Sequence, residues 1–262
     1  MRGRVLIVAG SDSGGGAGIE ADIKTVTMLG AYAATAITAL TAQDTRDVYA
    51  VYPIPPAFVA RQMEVVLADL GTDCIKTGML HSAAVIATVI EVLARSAPGV
   101  PLVADPVMVA KGGAPLLEPH AVDAVRTLLV PRATVVTPNV PEAALLTGRT
   151  VASVADMEAA ARALLALGPA AVLLKGGHLD GPNVVDVLAT GEGMVRLESP
   201  RIATTSTHGT GCTLASAIAT GLAQGMTVRD AVVRARAYVW EAIRTAPGLG
   251  KGHGPLNHAH AV

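Results

Sequence analysis

Apolar runs of strand length recur along the chain between longer stretches in which apolar residues return every three or four positions. Within each run the apolar residues are continuous rather than alternating, and most runs end in glycine or a small polar residue. Such runs are typical of strands covered on both faces, whereas the longer stretches have the spacing of amphipathic helices. The pattern predicts strands at residues 5–9, 36–40, 101–104, 134–137 and 171–175, and helices at residues 56–70, 83–94, 120–129 and 154–167.

This alternation predicts an α/β fold, with helices on both faces of a mainly parallel sheet. Beyond Lys175 two apolar segments, 184–189 and 194–198, flank Thr-Gly-Glu-Gly as in a hairpin, which predicts an antiparallel edge. Further helices are expected at about residues 213–224 and 229–245, and the absence of a linker or repeat predicts one domain over residues 1–262. Ligands of open sheets bind beyond the carboxyl ends of the strands, so the residues there are the candidates for chemistry.

Composition excludes several classes of protein. The chain has 262 residues, of which 51% are apolar, so disorder is excluded. A formal net charge of -1 and only 2% aromatic residues give no sign of a nucleic-acid partner or of an anionic membrane. The longest stretch without charged residues, 202–228, is rich in Thr, Ser and Gly, so no membrane span is expected. Cys74 and Cys212 have no metal-ligand spacing, and a reducing cytoplasm fits them best.

The first candidate site is a glycine-rich loop between the first strand and a helix expected from about Ala17. Five glycines fall within residues 10–18, and glycines bring backbone N–H groups close to a ligand at a helix start. Ile19 replaces the last glycine of the dinucleotide-binding pattern, and Asp12 replaces the serine of a nucleophile elbow. A binding loop is therefore expected, with a tight turn of small residues as the alternative.

The second candidate is the turn at residues 207–213, Thr-His-Gly-Thr-Gly-Cys-Thr, which leads into a helix from about Cys212. Exposed N–H groups there, with no carboxylate in the turn, predict a site for the anionic charge of a transferring phosphoryl group. At a helix N-terminus the pKa of the Cys212 thiol is expected to fall. The alternative is a small cysteine packed at a helix start.

The third candidate combines Asn139 and Glu142, which fall in the first turn of a helix that follows a buried strand. A carboxylate and an amide in this position can organise a hydrated Mg²⁺. Asn-x-x-Glu is also nearly a capping box, so helix capping is the alternative. Asp105 ends another strand and is a candidate for metal or water contacts, with a turn as its alternative.

Lysine is rare among the 20 basic residues, which suggests positions where a compact ammonium is needed. Lys175 follows an apolar strand and precedes two glycines, so it can reach a phosphate at the carboxyl edge of the sheet. Lys111 lies in the loop after Asp105, near the same edge. Solvated surface lysines are the alternative for both.

Three of the seven histidines, His253, His258 and His260, fall in the C-terminal segment. No carboxylate or cysteine accompanies them, so a packed or loose tail is favoured over a metal site.

Taken together, these motifs resemble the ribokinase-like kinases, and closely the hydroxymethylpyrimidine and phosphohydroxymethylpyrimidine kinases of thiamin biosynthesis. Each motif is weak alone, but their combination is specific and covers nearly the whole chain. The matching segments are AGSDSGGGAGIEADIKT (9–25), ITALTAQDT (37–45), KTGML (76–80), DPVMVAKGG (105–113), TPNVPEA (137–143), LLKGGH (173–178), THGTGCT (207–213) and GKGHGPLNH (250–258).

The resemblance implies a three-layer α/β/α fold and transfer of the ATP γ-phosphoryl group, first to the hydroxymethyl group of an aminopyrimidine and then to the monophosphate. It implies a small-molecule substrate, ATP and Mg²⁺ as cofactors and a homodimer. In most ribokinase-like sugar kinases an aspartate base stands where this chain, like the pyrimidine kinases, has a cysteine. The resemblance implies that the substrate is bound by Gly10, Ala17, Gln43, Met79 and Val107. It implies that ATP is bound by Lys175, Asn139 and Thr207, and Mg²⁺ by Glu142 and Asp105. It also implies an anion hole at Gly209 and Gly211, with Cys212 as the base.

One departure from the resemblance bears on the second phosphorylation. Asp44 stands where asparagine is common after the substrate glutamine, and a carboxylate beside the pocket would disfavour the charged monophosphate. Two other functions stay open: a pyridoxal kinase, against which Gln43 and Met79 argue, and a pyrimidine-binding module without catalysis, against which Cys212, Lys175 and Glu142 argue.

Overall fold

The computed structural model describes residues 1–110 and 113–260, and its strands all join one sheet. The strands are β1 (Arg4–Asp12), β2 (Tyr32–Gln43), β3 (Val48–Pro53), β4 (Cys74–Thr77), β5 (Leu102–Ala104), β6 (Val135–Val136), β7 (Ala171–Leu174), β8 (Asn183–Thr190) and β9 (Gly193–Pro200). The helices are α1 (Gly18–Met28), α2 (Pro56–Asp69), α3 (Ala83–Ser96), α4 (Ala121–Ala124), α5 (Val130–Arg132), α6 (Val140–Thr147), α7 (Val154–Leu165), α8 (Thr210–Ala223) and α9 (Val228–Arg244).

The nine-stranded sheet has the order β3-β2-β1-β4-β5-β6-β7-β8-β9. Strands β2, β1, β4, β5, β6 and β7 are parallel; at one edge β8 pairs antiparallel with β7, and β9 pairs antiparallel with β8 to form a hairpin. The predicted mainly parallel sheet with an antiparallel edge hairpin is therefore confirmed. Strand β3, antiparallel to β2 at the other edge, was not predicted, because it is largely exposed and has no buried apolar run.

Alternate side chains of the central strands enter two different cores, which makes the fold three-layered. In β1, Leu6 and Val8 pack with α2, α3, α6 and α7, whereas Val5 and Ile7 pack with α1, α8 and α9. Leu6 and Ile7 are both fully buried, and burial of each contributes about 1.5–3 kcal/mol. Burial on both faces is the physical reason why this strand has a continuous apolar run.

The helix predicted at residues 120–129 is present, but it is not a regular α-helix throughout. A π-helical turn, Val125–Leu129, separates α4 from α5. Pro131 follows within α5, and proline can neither donate the next helical hydrogen bond nor accommodate the carbonyl four residues earlier. The helix widens just before it, as single π turns do inside α-helices. Among the described residues, no helix combines the length and apolarity that crossing a membrane would require.

The C-terminal segment packs against the helix that carries Cys212. His258 is 6% exposed; its Nε2 lies 3.0 Å from Thr213 Oγ1, and its carbonyl accepts a 2.7 Å hydrogen bond from the Tyr238 hydroxyl. Burial, helped by the charges of Lys24 and His260, lowers the pKa of His258 to about 4. Of the packed and loose alternatives for this segment, these contacts show the packed one.

Acid should therefore destabilise the fold through His258. An unfolded histidine has a pKa near 6.5, so its contribution is complete above that pH and is lost as the pH falls through about 4. The loss amounts to about 3 kcal/mol. We expect His258→Gln, which keeps a hydrogen-bonding side chain, to flatten the fall of unfolding free energy with pH, measured by urea denaturation. The exposed His120→Gln is the control, and equal slopes for His258→Gln and the parent would contradict the expectation.

Candidate active site

A cavity of about 690 Å³ opens at the carboxyl ends of the parallel strands. The site residues that the resemblance implies all line it, although they come from widely separated parts of the chain. They are Gly10, Ala17, Gln43, Met79, Asp105, Val107, Asn139, Glu142, Lys175, Thr207, Gly209, Gly211 and Cys212. Lys111 falls outside the described residues.

The turn before α8 lies between the two ends of this cavity. Helix α8 begins at Thr210, slightly earlier than predicted, and places Cys212 within its first turn. The N–H groups of this turn have no acceptor within the helix, so they can bind an anion. Gly209 is the N-cap at φ 79°, and a Cβ there would lie 1.8 Å from the Gly16 carbonyl oxygen. Only glycine allows the turn to approach the glycine-rich loop this closely.

Part of the hydrogen-bonding capacity of the glycine-rich loop is used within the loop itself. The Asp12 carboxylate accepts hydrogen bonds from the backbone N–H groups of Gly14, Gly16 and Ala17, at 2.8, 3.1 and 2.8 Å. These donors are therefore already paired with an internal anion. Burial opposes the charge, but the hydrogen bonds from His208 and the loop backbone lower the pKa of Asp12 below its usual value. Gly10, Ala17 and Gly18 of the loop nevertheless line the cavity.

At one end of the cavity, Gln43 lies beside His208. The Gln43 Nε2 atom is 3.3 Å from His208 Nε2, which is in turn 2.7 Å from Asp12 Oδ2. Met79 lies across the cavity and contacts the backbone of β1, since a Cβ at Gly10 would lie 3.0 Å from the Met79 sulfur. The result is an apolar slot with one amide at its edge, a shape suited to a flat, polar-edged ring.

At the other end, two carboxylates and an ammonium lie close together. Lys175 Nζ donates a 2.9 Å hydrogen bond to Asp105 Oδ1, which also accepts one from Thr137 at 3.0 Å. A Cβ added at Gly211 would lie 3.2 Å from Lys175 Nζ and 3.5 Å from Asp105 Oδ2. The lysine and the aspartate therefore face the turn directly.

Asn139 and Glu142 form a complete capping box at the start of α6. Glu142 Oε2 accepts from the Asn139 N–H at 2.8 Å, and Asn139 Oδ1 accepts from the Glu142 N–H at 2.9 Å. The capping interpretation is thus confirmed. Glu142 still lines the cavity, and burial, against the opposing charge of Lys175, raises its pKa to about 7.

Comparison with known proteins decides the family. The family model described as phosphomethylpyrimidine kinase matches residues 12–257. The chain belongs to this family. Over 258 residues it is 49% identical to the hydroxymethylpyrimidine/phosphomethylpyrimidine kinase of Streptomyces coelicolor, covering 98% of this chain and 95% of that one. It is also 54% identical to the thiamine biosynthesis bifunctional protein ThiED of Geobacter sulfurreducens, covering 100% of this chain but only 53% of that longer protein.

Among solved structures, an ADP complex of Bacillus subtilis pyridoxal kinase superimposes with a TM-score of 0.92 at 38% identity. The match covers 99% of this chain and 98% of the other. Membership of the phosphomethylpyrimidine kinase family and this nucleotide-bound neighbour confirm the predicted fold and the prediction of a kinase of thiamine biosynthesis.

The structure bears on two further expectations about the site. Burial raises the pKa of the Cys212 thiol to about 12, against the opposing charge of Lys76, so the expected lowering at the helix N-terminus is not found. Asp44 does not line the cavity; its carboxylate is 3.0 Å from the Arg46 guanidinium, and hydrogen bonds from Arg46 lower its pKa to about 2. Its charge is paired with Arg46, next to Gln43 but outside the lining of the cavity.

Sequence reasoning missed three residues that shape the site. Asp12 pairs with His208 and with N–H groups of the glycine-rich loop, His208 lies beside Gln43, and Lys76 lines the cavity. Asp12 and His208 lie inside the two glycine-rich motifs, whose glycines alone predicted binding. The only sequence signal for Lys76 is that it is one of the chain's few lysines.

Proposed function

We propose that the chain transfers the γ-phosphoryl group of ATP to the hydroxymethyl group of 4-amino-5-hydroxymethyl-2-methylpyrimidine, and then a second one to the resulting monophosphate. The observation that carries this proposal is the position of the 209–212 turn. Through His208 it touches the amide-edged slot, and through Gly211 it touches the Lys175–Asp105 pair. An alcohol in the slot and a polyphosphate beside Lys175 would meet at the N–H groups of the turn.

The pyrimidine end is assigned to the apolar slot. Gly10, Ala17, Met79 and Val107 supply its walls, and Gln43 supplies the amide that reads the aminopyrimidine edge. A primary amide can both donate to a ring nitrogen and accept from an exocyclic amine, as that edge requires. Because Asp44 is paired with Arg46, the structure offers no obstacle to the monophosphate from that carboxylate.

The nucleotide end is assigned to Lys175, Asn139 and Thr207. The Lys175 ammonium, held by Asp105, is placed to bind transferring phosphate oxygens. The ADP complex of the Bacillus subtilis neighbour supports a nucleotide site in this fold.

The residues present fit a magnesium ion brought by the nucleotide. Mg²⁺ is usually bound by one or two carboxylates together with phosphates and water, and Asp105 and Glu142 supply two carboxylates facing one cavity. The described residues hold no cluster of three metal-binding side chains, as a dedicated protein cage would require. When bound, the ion neutralises phosphate charge, and Glu142 would hold its water shell.

In the transfer step, the alcohol oxygen bonds to the γ-phosphorus as the bond to the leaving ADP oxygen breaks. The N–H groups of Gly209, Gly211 and Cys212 stabilise the charge on the transferring group. The alcohol proton passes to Cys212. Since burial keeps the thiol protonated before substrates bind, its own proton passes to a phosphate oxygen of the nucleotide as the sulfur takes the alcohol proton.

Product analysis tests the proposal. The enzyme is incubated with ATP, Mg²⁺ and the free pyrimidine alcohol, and the pyrimidine monophosphate and diphosphate are separated by anion-exchange chromatography. Appearance of both products in sequence supports the two steps. Pyridoxal is run in parallel, and exclusive phosphorylation of pyridoxal would overturn the substrate assignment.

Gln43→Ala should weaken pyrimidine binding and leave ATP binding nearly unchanged. Losing one neutral hydrogen-bonding pair, with a buried ligand group left unpaired, costs about 1–3 kcal/mol. Calorimetric titration with each ligand measures the effect. Gln43→Asn keeps the amide but withdraws it by one methylene, so it should recover part of the loss. Equal losses for both ligands would remove Gln43 from the substrate site.

We also propose that the chain is a homodimer through the edge of the sheet at β3. The four tyrosines and the single phenylalanine are mostly exposed: Tyr49, Tyr52 and Phe58 are 61, 67 and 59% exposed. Leu40, opposite Tyr52 in the neighbouring strand, is 42% exposed. An unpaired edge strand surrounded by exposed aromatic residues is a surface that a second copy can cover.

Tyr52→Asp should shift the chain to a monomer, because a charge in a buried apolar contact is costly. Light scattering coupled to size exclusion measures the mass. Val233→Asp, at a residue of α9 that is 50% exposed, is the matched control and should stay dimeric. A monomeric parent, or a dimer that survives Tyr52→Asp, would refute this interface.

A further inference from the structure

A fully buried ion pair lies under the cavity floor. Lys76 Nζ is 2.7 Å from Asp22 Oδ2, and both side chains are 0% exposed. Lys76 belongs to the central strand β4, and Asp22 belongs to α1. Such a pair is a weak stabilising device, because desolvation of two charges offsets most of their attraction and an apolar pair could fill the same space. The position of the Lys76–Asp22 pair relative to Cys212 suggests a role in catalysis rather than in stability.

The pair is linked to the helix that carries Cys212. Ser216 follows Cys212 by four residues in α8, so the two side chains lie on the same face of the helix. The Ser216 hydroxyl donates a 2.7 Å hydrogen bond to Asp22 Oδ1. Lys76, Asp22 and Ser216 therefore form one buried network, a turn below Cys212.

The ammonium of this network also reaches the cavity. Lys76 lines it together with Cys212, and a Cβ at Gly78 would lie 3.0 Å from Lys76 Nζ. Asp22 and Ser216 do not line the cavity. The positive member thus faces the reacting end, while its counter-charge lies behind it.

We propose that Lys76 is a positioning residue for phosphoryl transfer: its buried ammonium, held by Asp22 and Ser216, favours negative charge on the Cys212 sulfur. The inference rests on the proposed role of Cys212 and deepens it. A second ammonium, that of Lys175, is bound to Asp105 and committed to the nucleotide end. Lys76 is paired instead with Asp22, which does not line the cavity, and Lys76 itself lines the cavity together with Cys212.

Four charged groups face Cys212 from the surrounding elements. Lys76 and Lys175 favour a thiolate, whereas Asp22 and Asp105 oppose it. Burial keeps the thiol protonated overall, and Lys76 is the largest influence in the other direction. Removing that ammonium should therefore make the thiolate harder to form.

The rate at which Cys212 is alkylated measures how readily its thiolate forms, without relying on turnover. The parent and variants are treated with iodoacetamide over a series of pH values, and the Cys212 and Cys74 peptides are quantified by mass spectrometry. Buried Cys74 is the internal control for unfolding. Because Lys76→Met alone would leave Asp22 buried and unpaired, the main variant is Lys76→Met with Asp22→Asn. Lys251→Met, an exposed lysine outside the cavity lining, is the matched control.

In the double variant we expect the alkylation profile of Cys212 to move to higher pH by about one unit or more. Asp22→Asn alone keeps the ammonium and removes the opposing carboxylate, so its profile should move the opposite way. Turnover of the double variant should fall about tenfold or more, with little change in KM for ATP.

Shifts of opposite sign cannot arise from general damage to the fold. Coincident profiles for the parent and both variants, or shifts in the same direction, would overturn the role of Lys76. If the double variant does not melt cooperatively, Asp22→Asn decides alone, and an unmoved or upward-shifted profile refutes the proposal. Should Cys212→Ala turn over as fast as the parent, the proposed base is wrong, whereas the alkylation profiles still report on Lys76.

Discussion

Replacing Cys212 by serine should lower the single-turnover rate of phosphoryl transfer by about 10²-fold while ATP affinity stays unchanged. General base catalysis contributes about 10²–10⁴-fold, and the raised thiol pKa of about 12 places this enzyme at the lower end. A serine hydroxyl is a still weaker acid, so its alkoxide is harder to form at the same site. Rapid quench with substrate affinities measured separately isolates the chemical step.

The aspartate variant makes this test discriminating. If Cys212 accepts the proton, Cys212→Asp should retain more activity than Cys212→Ser, because a carboxylate base occupies this place in the sugar kinases that the chain resembles. A merely packed cysteine predicts the reverse order, since serine is nearly isosteric and a charge in a tight pocket is disruptive. A serine variant as fast as the parent would leave catalysis to the N–H groups of the turn alone.

Glu142→Gln should lower turnover at low Mg²⁺ by about 10–100-fold, with partial recovery at high Mg²⁺. Outer-shell partners of a bound metal contribute about that factor to affinity or activity. Glutamine can keep the capping box, because its side-chain oxygen can still accept from the Asn139 N–H. The substitution therefore removes the charge and spares the helix start. Initial rates across a Mg²⁺ series measure the effect.

The control for this variant separates the metal from the cap. Asn139→Ala removes one capping hydrogen bond of 2.9 Å and should lower the melting temperature, whereas Glu142→Gln should not. Parent-like activity of Glu142→Gln at low Mg²⁺ would make Glu142 a cap and nothing more.

Local patterns were sufficient for most of the fold. Continuous apolar runs such as the one at Leu6 and Ile7 predict strands covered on both sides, because each face of the sheet has its own core. The family motifs identified residues that the fold brings to one cavity, since the carboxyl ends of parallel strands meet at a single edge. The hairpin at Thr190 and Gly193 was likewise visible as a short polar interruption between two strands.

What the patterns could not supply was the pairing of polar groups that are distant in sequence. The glycine-rich loop suggests backbone N–H groups open to a ligand, but three of them donate to Asp12, which no sequence pattern shows. The sequence predicts a lowered pKa for the Cys212 thiol, because the residue lies at a helix N-terminus. Burial raises that pKa instead, and burial depends on every segment that packs around the residue. Strand β4 contains the charged Lys76. Its ammonium can be buried because Asp22, 54 residues away in the sequence, pairs with it in the folded chain. Charge and desolvation act through space, so only the tertiary structure determines which polar groups are paired or buried. The helices and strands themselves follow from the short-range periodicity of apolar residues.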